Sequence, residues 1–248
     1  MDPHVVVVSG GGSGIGRAVA LQQAAAGRRV LVVGRRPDAL AGTAALAEDG
    51  SVETVAADLS TPGGAAAVAT AVGGRTVGGL VAAAGAQGAF NQPGPTLAEV
   101  DSAWTEALRS NLFSALLLVE ALTPRLADTI GRVVLVGSTA GLTGAGGGYA
   151  AAKAALHSYG RTLARSLGPR GITANVVAPG LVLDTGFFDT VDGPPAEPAL
   201  ARSAARTLVG RLGAPADVAA CVGWLLSPEA GWTTGQVISP NGGVVLVR

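Results

Sequence analysis

Residues 5–16 read VVVVSGGGSGIG, and a helical pattern follows from Arg17. The four valines predict a strand, because short β-branched runs are typical of strands buried on both faces of a parallel sheet. Glycines directly after such a strand allow a tight turn and let backbone N–H groups approach a phosphate closely. A flexible turn without a ligand is the alternative. Since the segment lies between a first strand and a first helix, we favour a dinucleotide-binding turn.

The same strand-then-helix pattern repeats along the chain. The predicted strands are Val5–Ser9, Val30–Gly34, Val52–Ala57, Val77–Ala83, Arg132–Gly137, Ile172–Ala178 and Gly235–Ser239. The predicted helices span 14–26, 37–48, 62–72, 101–127, 149–167 and 215–226. This alternation predicts the α/β class. We expect a single-domain Rossmann fold over residues 1–248, with a doubly wound seven-stranded parallel sheet and helices on both faces.

One stretch, 181–212, departs from this alternation. It is rich in glycine and proline and contains the adjacent Phe187 and Phe188. A long irregular connection in a compact domain is usually functional. A disordered surface insert is the alternative, but paired aromatic side chains favour a segment that covers something. We expect a substrate-binding lid here.

Composition narrows the class of protein. Apolar residues make up 48% of the chain and charged residues 14%, as in compact globular proteins. The formal net charge is zero, which gives no indication of nucleic-acid or anionic-membrane binding. The chain has neither an apolar run near 18 residues nor a secretory signal pattern. A single cysteine, Cys221, suits the cytoplasm, and the two histidines lack metal-ligand spacing, so we expect no metal.

The end of the second predicted strand bears on the choice of dinucleotide. Gly34 is followed there by Arg35 and Arg36. An acidic residue at this point accepts from a ribose 2′-hydroxyl, whereas arginine accommodates a 2′-phosphate. A solvated arginine pair is the alternative, and we favour NADP(H) over NAD(H). Asp58 and Leu59 follow the third strand, where a carboxylate can meet the adenine amino group.

Four polar residues form a candidate catalytic set. Lys153 is the chain's only lysine, and Tyr149 precedes it by four residues, so a helix presents both on one face. A nearby ammonium lowers the pKa of a phenol, although chance spacing is the alternative. Ser138 follows a strand, where its hydroxyl can bind a carbonyl or simply stabilise a turn. Asn111 interrupts an apolar helical stretch, which indicates a polar partner.

Together these motifs resemble the short-chain dehydrogenase/reductase family over essentially the whole chain, and especially bacterial 3-oxoacyl-type ketoreductases. The resemblance rests on the glycine motif at 9–16, Asn111, Ser138, Tyr149-x-x-x-Lys153 and Pro179-Gly180. It implies hydride transfer between NADP(H) and a carbonyl or secondary alcohol. Tyr149 would be the general acid/base, Lys153 would hold the nicotinamide ribose, and Ser138 would orient the carbonyl. Asn111 would position a water that links Lys153 to solvent.

The motifs and the resemblance assign three sets of residues. The catalytic set is Asn111, Ser138, Tyr149 and Lys153. The cofactor-binding set is Ser9, Gly10, Gly12, Ser13, Gly14, Ile15, Gly16, Gly34, Arg35, Arg36, Asp58, Leu59, Ala84, Gly85, Tyr149, Lys153, Pro179, Gly180 and Val182. The substrate set is Ser138, Tyr149, Gln87, Leu142, Phe187 and Phe188, which indicates a mainly apolar substrate and leaves room for a bulky or cyclic one.

The chain departs from the family's pattern in places. The usual Asn-Asn-Ala-Gly is Ala82–Gly85, which puts local rigidity in doubt, and the leading threonine of the glycine motif is Ser9. Thr185 stands one residue late for a threonine that contacts the nicotinamide carboxamide.

The resemblance also implies a homotetramer, or failing that a dimer, paired through helices 101–127 and 149–167. The small residues that would allow this approach are Ala150, Ala151, Ala154 and Ala155, with His157 nearby. Two other functions stay open: an NADP-binding sensor or scaffold without turnover, and an epimerase acting through a transient ketone.

Overall fold

Seven parallel strands form one central sheet in the part of the chain that the computed structural model describes, residues 4–47, 50–86, 94, 96–185 and 197–246. They are β1 Val5–Ser9, β2 Arg29–Gly34, β3 Val52–Ala56, β4 Val77–Ala82, β5 Arg132–Val136, β6 Thr173–Val177 and β7 Val237–Ile238. Their order is β3-β2-β1-β4-β5-β6-β7, and every neighbouring pair is parallel. The predicted doubly wound sheet is confirmed, with its switch point between β1 and β4.

Helices cover both faces of the sheet. They are α1 Gly14–Ala25, α2 Pro37–Ala44, α3 Pro62–Val72, α4 Leu97–Leu108, α5 Ser114–Leu122, α6 Ala140–Thr143, α7 Gly147–Leu167, α8 Glu197–Ala205 and α9 Pro215–Leu225. A π-helical turn, Arg109–Phe113, joins α4 to α5. None of the described helices is both long and apolar enough to cross a membrane.

The valine run of β1 fills two cores at once. Val5 and Val7 belong to the apolar cluster that includes Leu118 of α5. Val6 and Val8 belong to the cluster on the other face, with residues of α1 and α9. Successive side chains of a strand point to opposite faces, so a strand covered by helices on both sides is apolar at every position. The prediction for this strand is confirmed.

Three details of the predicted elements are wrong. The segment 181–212 contains a helix, α8, in which Pro198 lies in the first turn, where a missing N–H breaks no intrahelical bond. β3 is not buried on both faces, because it is an edge strand and exposes Glu53 and Thr54. The predicted helix 101–127 begins earlier, at Leu97, after a capping box formed by Thr96 and Glu99, and a π-helical turn divides it.

Candidate active site

The turn between β1 and α1 carries the glycine motif. Gly10 has φ 69°, and a Cβ there would lie 2.9 Å from the carbonyl oxygen of Ala83. A Cβ on Gly16 would collide with the carbonyl oxygen of Gly10. Glycine is therefore required here by the close approach of neighbouring chain. Ser13, the N-cap of α1, makes no side-chain capping bond, and the first N–H groups of a helix suit an anion.

The loop after β4 is anchored by side chains from elsewhere in the fold. Ala84 N–H donates to Ser9 Oγ at 3.0 Å. Ala86 N–H donates to Asn111 Oδ1 at 3.2 Å, and Asn111 Nδ2 donates back to the Ala86 carbonyl at 2.8 Å. Ser9 and Asn111 are both buried. These bonds fix the backbone around Ala84 and Gly85, although the family's two asparagines are alanines here.

Asn111 lies in the π-helical turn between α4 and α5. Such bulges are frequent at functional sites, because they re-aim side chains that a regular helix would point elsewhere. The predicted polar partner of Asn111 is the backbone of Ala86. A Cβ added to Gly85 would lie 2.7 Å from Asn111 Oδ1 and 3.2 Å from Lys153 Nζ. Asn111 and Lys153 therefore lie against the same glycine from two different helices.

Ser138, Tyr149 and Lys153 come together beside the carboxyl end of β5. Ser138 Oγ accepts from Ala140 N–H at 3.1 Å and is hydrogen-bonded to the Tyr149 side chain. Lys153 Nζ lies 5.7 Å from the centroid of the Tyr149 ring. It donates to the Val136 carbonyl at 2.9 Å. Helical spacing on α7 therefore puts phenol and ammonium on one face, as the sequence predicts.

Burial has the largest effect on the pKa values of Tyr149 and Lys153. It raises the pKa of Tyr149, and the hydrogen bond with Ser138 acts in the opposite direction. Burial also lowers the pKa of Lys153 to about 8. The net direction for Tyr149 is therefore upward, not the downward one that the sequence predicts from a nearby ammonium. Desolvation of the phenol outweighs other influences, and the ammonium hydrogen-bonds to a backbone carbonyl instead.

A cavity of about 680 Å³ opens along the carboxyl ends of β1, β2, β3 and β4. Members of the predicted cofactor set line it, namely Gly10, Gly12, Ser13, Gly34, Arg35, Arg36, Asp58, Leu59, Ala84 and Gly85. The glycine cradle, the start of α1 and two guanidinium groups fit the phosphates of a dinucleotide.

Sequence reasoning missed the opposite wall of this cavity. It is formed by α4 and the turns after it, with Asp101, Ser102, Thr105, Glu106, Arg109, Ser110 and Ser114. Asp101, Thr105 and Arg109 recur at intervals of four residues, which is the signature of one helical face. That periodicity is the signal that could have found this wall.

Asp58 is held by the turn into α3. Its Oδ1 accepts from Ser60 N–H at 3.0 Å and from Ser60 Oγ at 2.7 Å. These two bonds lower the pKa of Asp58, and the charge of Arg35 lowers it further. The cap of α3 is Thr61, whose Oγ1 accepts from Gly64 N–H at 3.1 Å. Asp58 is thus fixed within electrostatic reach of Arg35.

The segment after β6 lies against the glycine motif. Pro179 accepts from Thr139 N–H at 2.9 Å, which ties it to the loop that carries Ser138. Val182 is buried, and Thr185 Oγ1 donates to its carbonyl at 3.2 Å. A Cβ on Gly14 would lie 2.9 Å from Thr185 Cα. The start of the expected lid therefore contacts the predicted phosphate-binding turn, and Thr185 lies beside that turn.

Two further residues of the predicted cofactor-binding set, Gly180 and Ile15, pack against other parts of the fold. A Cβ on Gly180 would lie 3.0 Å from Asn241 Cα, so two loops cross closely there. Ile15 packs against the apolar cluster on the α1 face of the sheet. Both residues therefore support the shape of the turns around the cavity.

The substrate set is only partly described. Ser138 and Tyr149 are in contact, and Leu142 lies half-buried in α6, four residues after Ser138. Gln87, Phe187 and Phe188 lie outside the described residues. The structure therefore gives the positions of Ser138, Tyr149 and Leu142, and the apolar walls expected around a substrate remain a prediction.

Two residues assigned to a subunit interface lie inside the protomer. Ala150 is 3% exposed and His157 is 6% exposed. His157 packs behind the catalytic loop, since a Cβ on Gly137 would lie 2.9 Å from its Nε2. The interface prediction is wrong for these two residues. Ala154 is exposed, as an interface residue of α7 must be.

Comparison with known proteins agrees with this geometry. A family model described as Enoyl-(Acyl carrier protein) reductase matches residues 10–245. The chain is 34% identical to the short-chain reductase protein NovJ of Streptomyces niveus, over 96% of this chain and 93% of NovJ. It is 33% identical to the rhamnolipids biosynthesis 3-oxoacyl-[acyl-carrier-protein] reductase of Pseudomonas aeruginosa, over 97% and 95% of the two chains. Its match to the 3-oxoacyl-[acyl-carrier-protein] reductase FabG of Escherichia coli is 37% identical over 59% of each.

A solved structure extends the likeness to three dimensions. The short-chain dehydrogenase/reductase from Brucella melitensis named glucose/ribitol dehydrogenase superposes with a TM-score of 0.88 at 28% identity. The match covers 100% of this chain and 98% of that one. The sheet order, the Ser138–Tyr149–Lys153 cluster and matches over nearly the full length lead to one conclusion: the chain belongs to the short-chain dehydrogenase/reductase family of oxidoreductases, which act on carbonyl and alcohol groups.

Proposed function

We propose that this protein is an NADP(H)-dependent ketoreductase, reversible as a secondary-alcohol dehydrogenase. The observation that carries the proposal is the contact of Ser138 with Tyr149, and of Tyr149 with Lys153. Lys153 lies against Gly85, which lines the same cavity as Arg35. The relatives named as short-chain and 3-oxoacyl reductases support the direction of reduction.

The chemistry divides between a bound dinucleotide and the chain. A bound dihydronicotinamide would supply the hydride that the carbonyl carbon accepts. Tyr149 donates the proton that the carbonyl oxygen takes up, and its raised pKa keeps the phenol protonated at neutral pH. Ser138 orients the carbonyl oxygen toward that phenol. The Lys153 ammonium, 5.7 Å from the ring, stabilises the phenolate that is left when the proton has moved.

Reprotonation of Tyr149 needs a route from solvent. We assign this role to a water held by Asn111 next to Lys153. The support is that both side chains lie against Gly85 and that Asn111 is fixed by hydrogen bonds to Ala86. Replacement of Asn111 by leucine is expected to lower kcat more than it changes the KM for ketone, because proton return and not substrate binding is affected.

The preference for NADP(H) rests on the end of β2. Arg35 and Arg36 line the cavity directly after Gly34, where an acidic residue would indicate NAD(H). A guanidinium binds a phosphate in bidentate fashion, so either arginine is suited to a 2′-phosphate.

The substrate that we propose is a mainly apolar ketone, with room for a bulky or cyclic one. The support is that Gly144 and Ala145, in the turn between α6 and α7 that precedes Tyr149, are small and exposed. Relatives named as 3-oxoacyl reductases make a 3-oxoacyl thioester a second member of the test panel. The family model's description adds a 2-enoyl thioester as a third.

We further propose a cytoplasmic homotetramer formed by one catalytic domain per chain. Exposed Ala154 on α7 and the partly exposed Trp104 and Phe113 of the α4–α5 stretch supply apolar surface for helix pairing. Light scattering after size exclusion measures the assembly. A monomer at micromolar concentration would contradict this part of the proposal.

The deciding experiment follows the loss of dihydronicotinamide absorbance with NADPH and NADH across that panel. Tyr149→Phe is the matched control, because it removes only the phenolic oxygen. Ketone-dependent NADPH oxidation that collapses in Tyr149→Phe supports the proposal. Tight NADPH binding without turnover of any panel member would favour a sensor, and conversion of an alcohol's configuration with no net cofactor oxidation would favour an epimerase.

A further inference from the structure

A second cavity lies at the opposite edge of the sheet from the active site. It has a volume of about 160 Å³, and His4, Arg28 and Arg132 contribute to its lining. His4 precedes β1, Arg28 precedes β2, and Arg132 is the first residue of β5. Because all strands are parallel, these residues lie at the amino-terminal edge, whereas Ser9 and Ser138 lie at the carboxyl edge. The cavity is therefore separate from the site described above.

Arg132 is a buried cation with an unused donor. Arg132 is only 6% exposed. One terminal nitrogen, Nη1, donates to the Gly131 carbonyl at 3.0 Å. Its Nε is buried and has no hydrogen-bond partner within the described residues. A buried N–H of this kind normally has a partner, so this one indicates a group that belongs beside it.

Arg28, which also lines the cavity, has more hydrogen-bond donors than acceptors. Both of its terminal nitrogens donate to one acceptor, the Leu226 carbonyl, each at 3.3 Å. The ion pairs found among the described residues involve other arginines, and none of the described residues that line the cavity carries a carboxylate. Glu229 is close in sequence to the lining residue Pro228, but its carboxylate is exposed and hydrogen-bonded to Ser227.

The two guanidinium groups act on each other. Burial lowers the pKa of Arg132, and the charge of Arg28 lowers it further. Arginine nevertheless stays protonated in proteins, so the two positive charges persist side by side. An anion between them would relieve the repulsion and accept the unused N–H groups at the same time. Guanidinium forks match the spacing of oxygens in phosphate, sulfate and carboxylate groups.

We propose that this cavity binds one small oxyanion, of the size of phosphate or sulfate, between Arg28 and Arg132. Its volume equals that of about five liquid-water molecules, which suits a tetrahedral oxyanion with a little hydration and excludes a nucleotide. An anion that binds the folded chain stabilises it by mass action. The site therefore makes the stability of the folded chain depend on the concentration of free oxyanion.

Thermal unfolding with inorganic phosphate as the probe tests the proposal. Chloride at equal ionic strength and pH is the reference. At a phosphate concentration about twenty times its Kd, the midpoint is expected to rise by roughly 4–7 °C for a chain of this size. Arg28→Gln removes one fork from a half-buried position and is expected to abolish most of the rise. A rise that survives unchanged in Arg28→Gln would overturn the proposal.

Two further variants test whether the rise in the unfolding midpoint comes from phosphate bound elsewhere or from a carboxylate of the chain. Arg35→Gln alters the cofactor cavity, which also offers phosphate donors, and it is expected to retain the full rise. Loss of the rise in Arg35→Gln alone would overturn the proposal without touching the proposed enzyme activity. Asp2 lies outside the described residues, two positions before His4, and Asp2→Asn removes the carboxylate that the chain itself could supply. The rise is expected in both the parent and Asp2→Asn, and a rise confined to Asp2→Asn would replace the proposal with an internal ion pair.

Discussion

The ammonium of Lys153 should set the alkaline limit of catalysis. Its pKa is lowered to about 8 by complete burial. Simple titration then leaves about nine-tenths of Lys153 charged at pH 7 and about one-tenth at pH 9. If the charged form is needed to stabilise the Tyr149 phenolate, kcat/KM falls about tenfold over those two pH units. The pKa of Tyr149 is raised above its usual 10, so the phenol itself stays protonated through this window.

The assay is kcat/KM against pH for a ketone substrate with NADPH, because this parameter reports the ionisations of the free enzyme. His157 is the other buried titratable group near α6, but its pKa is lowered from 6.5, so it adds no alkaline limb. Lys153→Arg is the matched control, since a guanidinium stays charged to far higher pH. A flat profile up to pH 10 would refute the reasoning. So would an alkaline limb of the same apparent pKa in the residual activity of Lys153→Arg.

Three other perturbations test separate parts of the structure. Lys153 has a lower pKa folded (about 8) than unfolded (10.5), so the unfolded chain binds more protons between these values and wild-type stability rises with pH across that window. Lys153→Met should remove this rise and be more stable at pH 7 by about 3 kcal/mol, measured by urea unfolding at several pH values. Ser9→Ala leaves the half-buried Ala84 N–H without its partner and should cost about 1 kcal/mol in the same assay, whereas Ser9→Thr should cost less. Arg35→Gln should raise the KM for NADPH about tenfold or more and leave that for NADH nearly unchanged, because a charge-assisted phosphate contact is lost; equal effects on both cofactors would contradict its assignment.

The sequence predicts most strands of the sheet well because helices bury these strands on both faces. A strand covered by helices on both sides is apolar throughout, and β1, β4 and β5 show this in their valines. β3 differs from these strands, because helices do not cover it completely. As the last strand in the order it is partly exposed, and its sequence, with Glu53 and Thr54, already differs from the others. The prediction that β3 is buried on both faces overlooked these two polar residues, which mark an exposed face.

Helix α8 lies in the segment 181–212, whose glycines and prolines predict an irregular connection. Proline breaks a helix only beyond its first turn, and Pro198 occupies the second position of α8. Residue type alone therefore gives the wrong answer where position within the element decides the effect.

The proximity of the candidate catalytic residues could be predicted, but the direction of their pKa shifts could not. Spacing on one helix is a local property, so Tyr149 and Lys153 are readable as a pair from the sequence. Their pKa values depend on how much water the rest of the fold removes, which no local pattern contains. Opposite charges close together would lower the pKa of Tyr149, yet burial raises it.

Long-range anchoring explains how the chain tolerates Ala82 and Ala83 at the end of β4, where the family has asparagines. The family's amides at 82 and 83 would hold this loop from within. Here Ser9 binds Ala84 from 75 residues away, and Asn111 binds Ala86 from 25 residues away. Asn111 reaches the loop because a π-helical turn places it between α4 and α5, and the same turn brings it against Gly85 beside Lys153. One side chain thus both fixes the loop and borders the catalytic ammonium, so replacing Asn111 should loosen the loop and slow proton return together, whereas Ser9→Ala should affect only the loop.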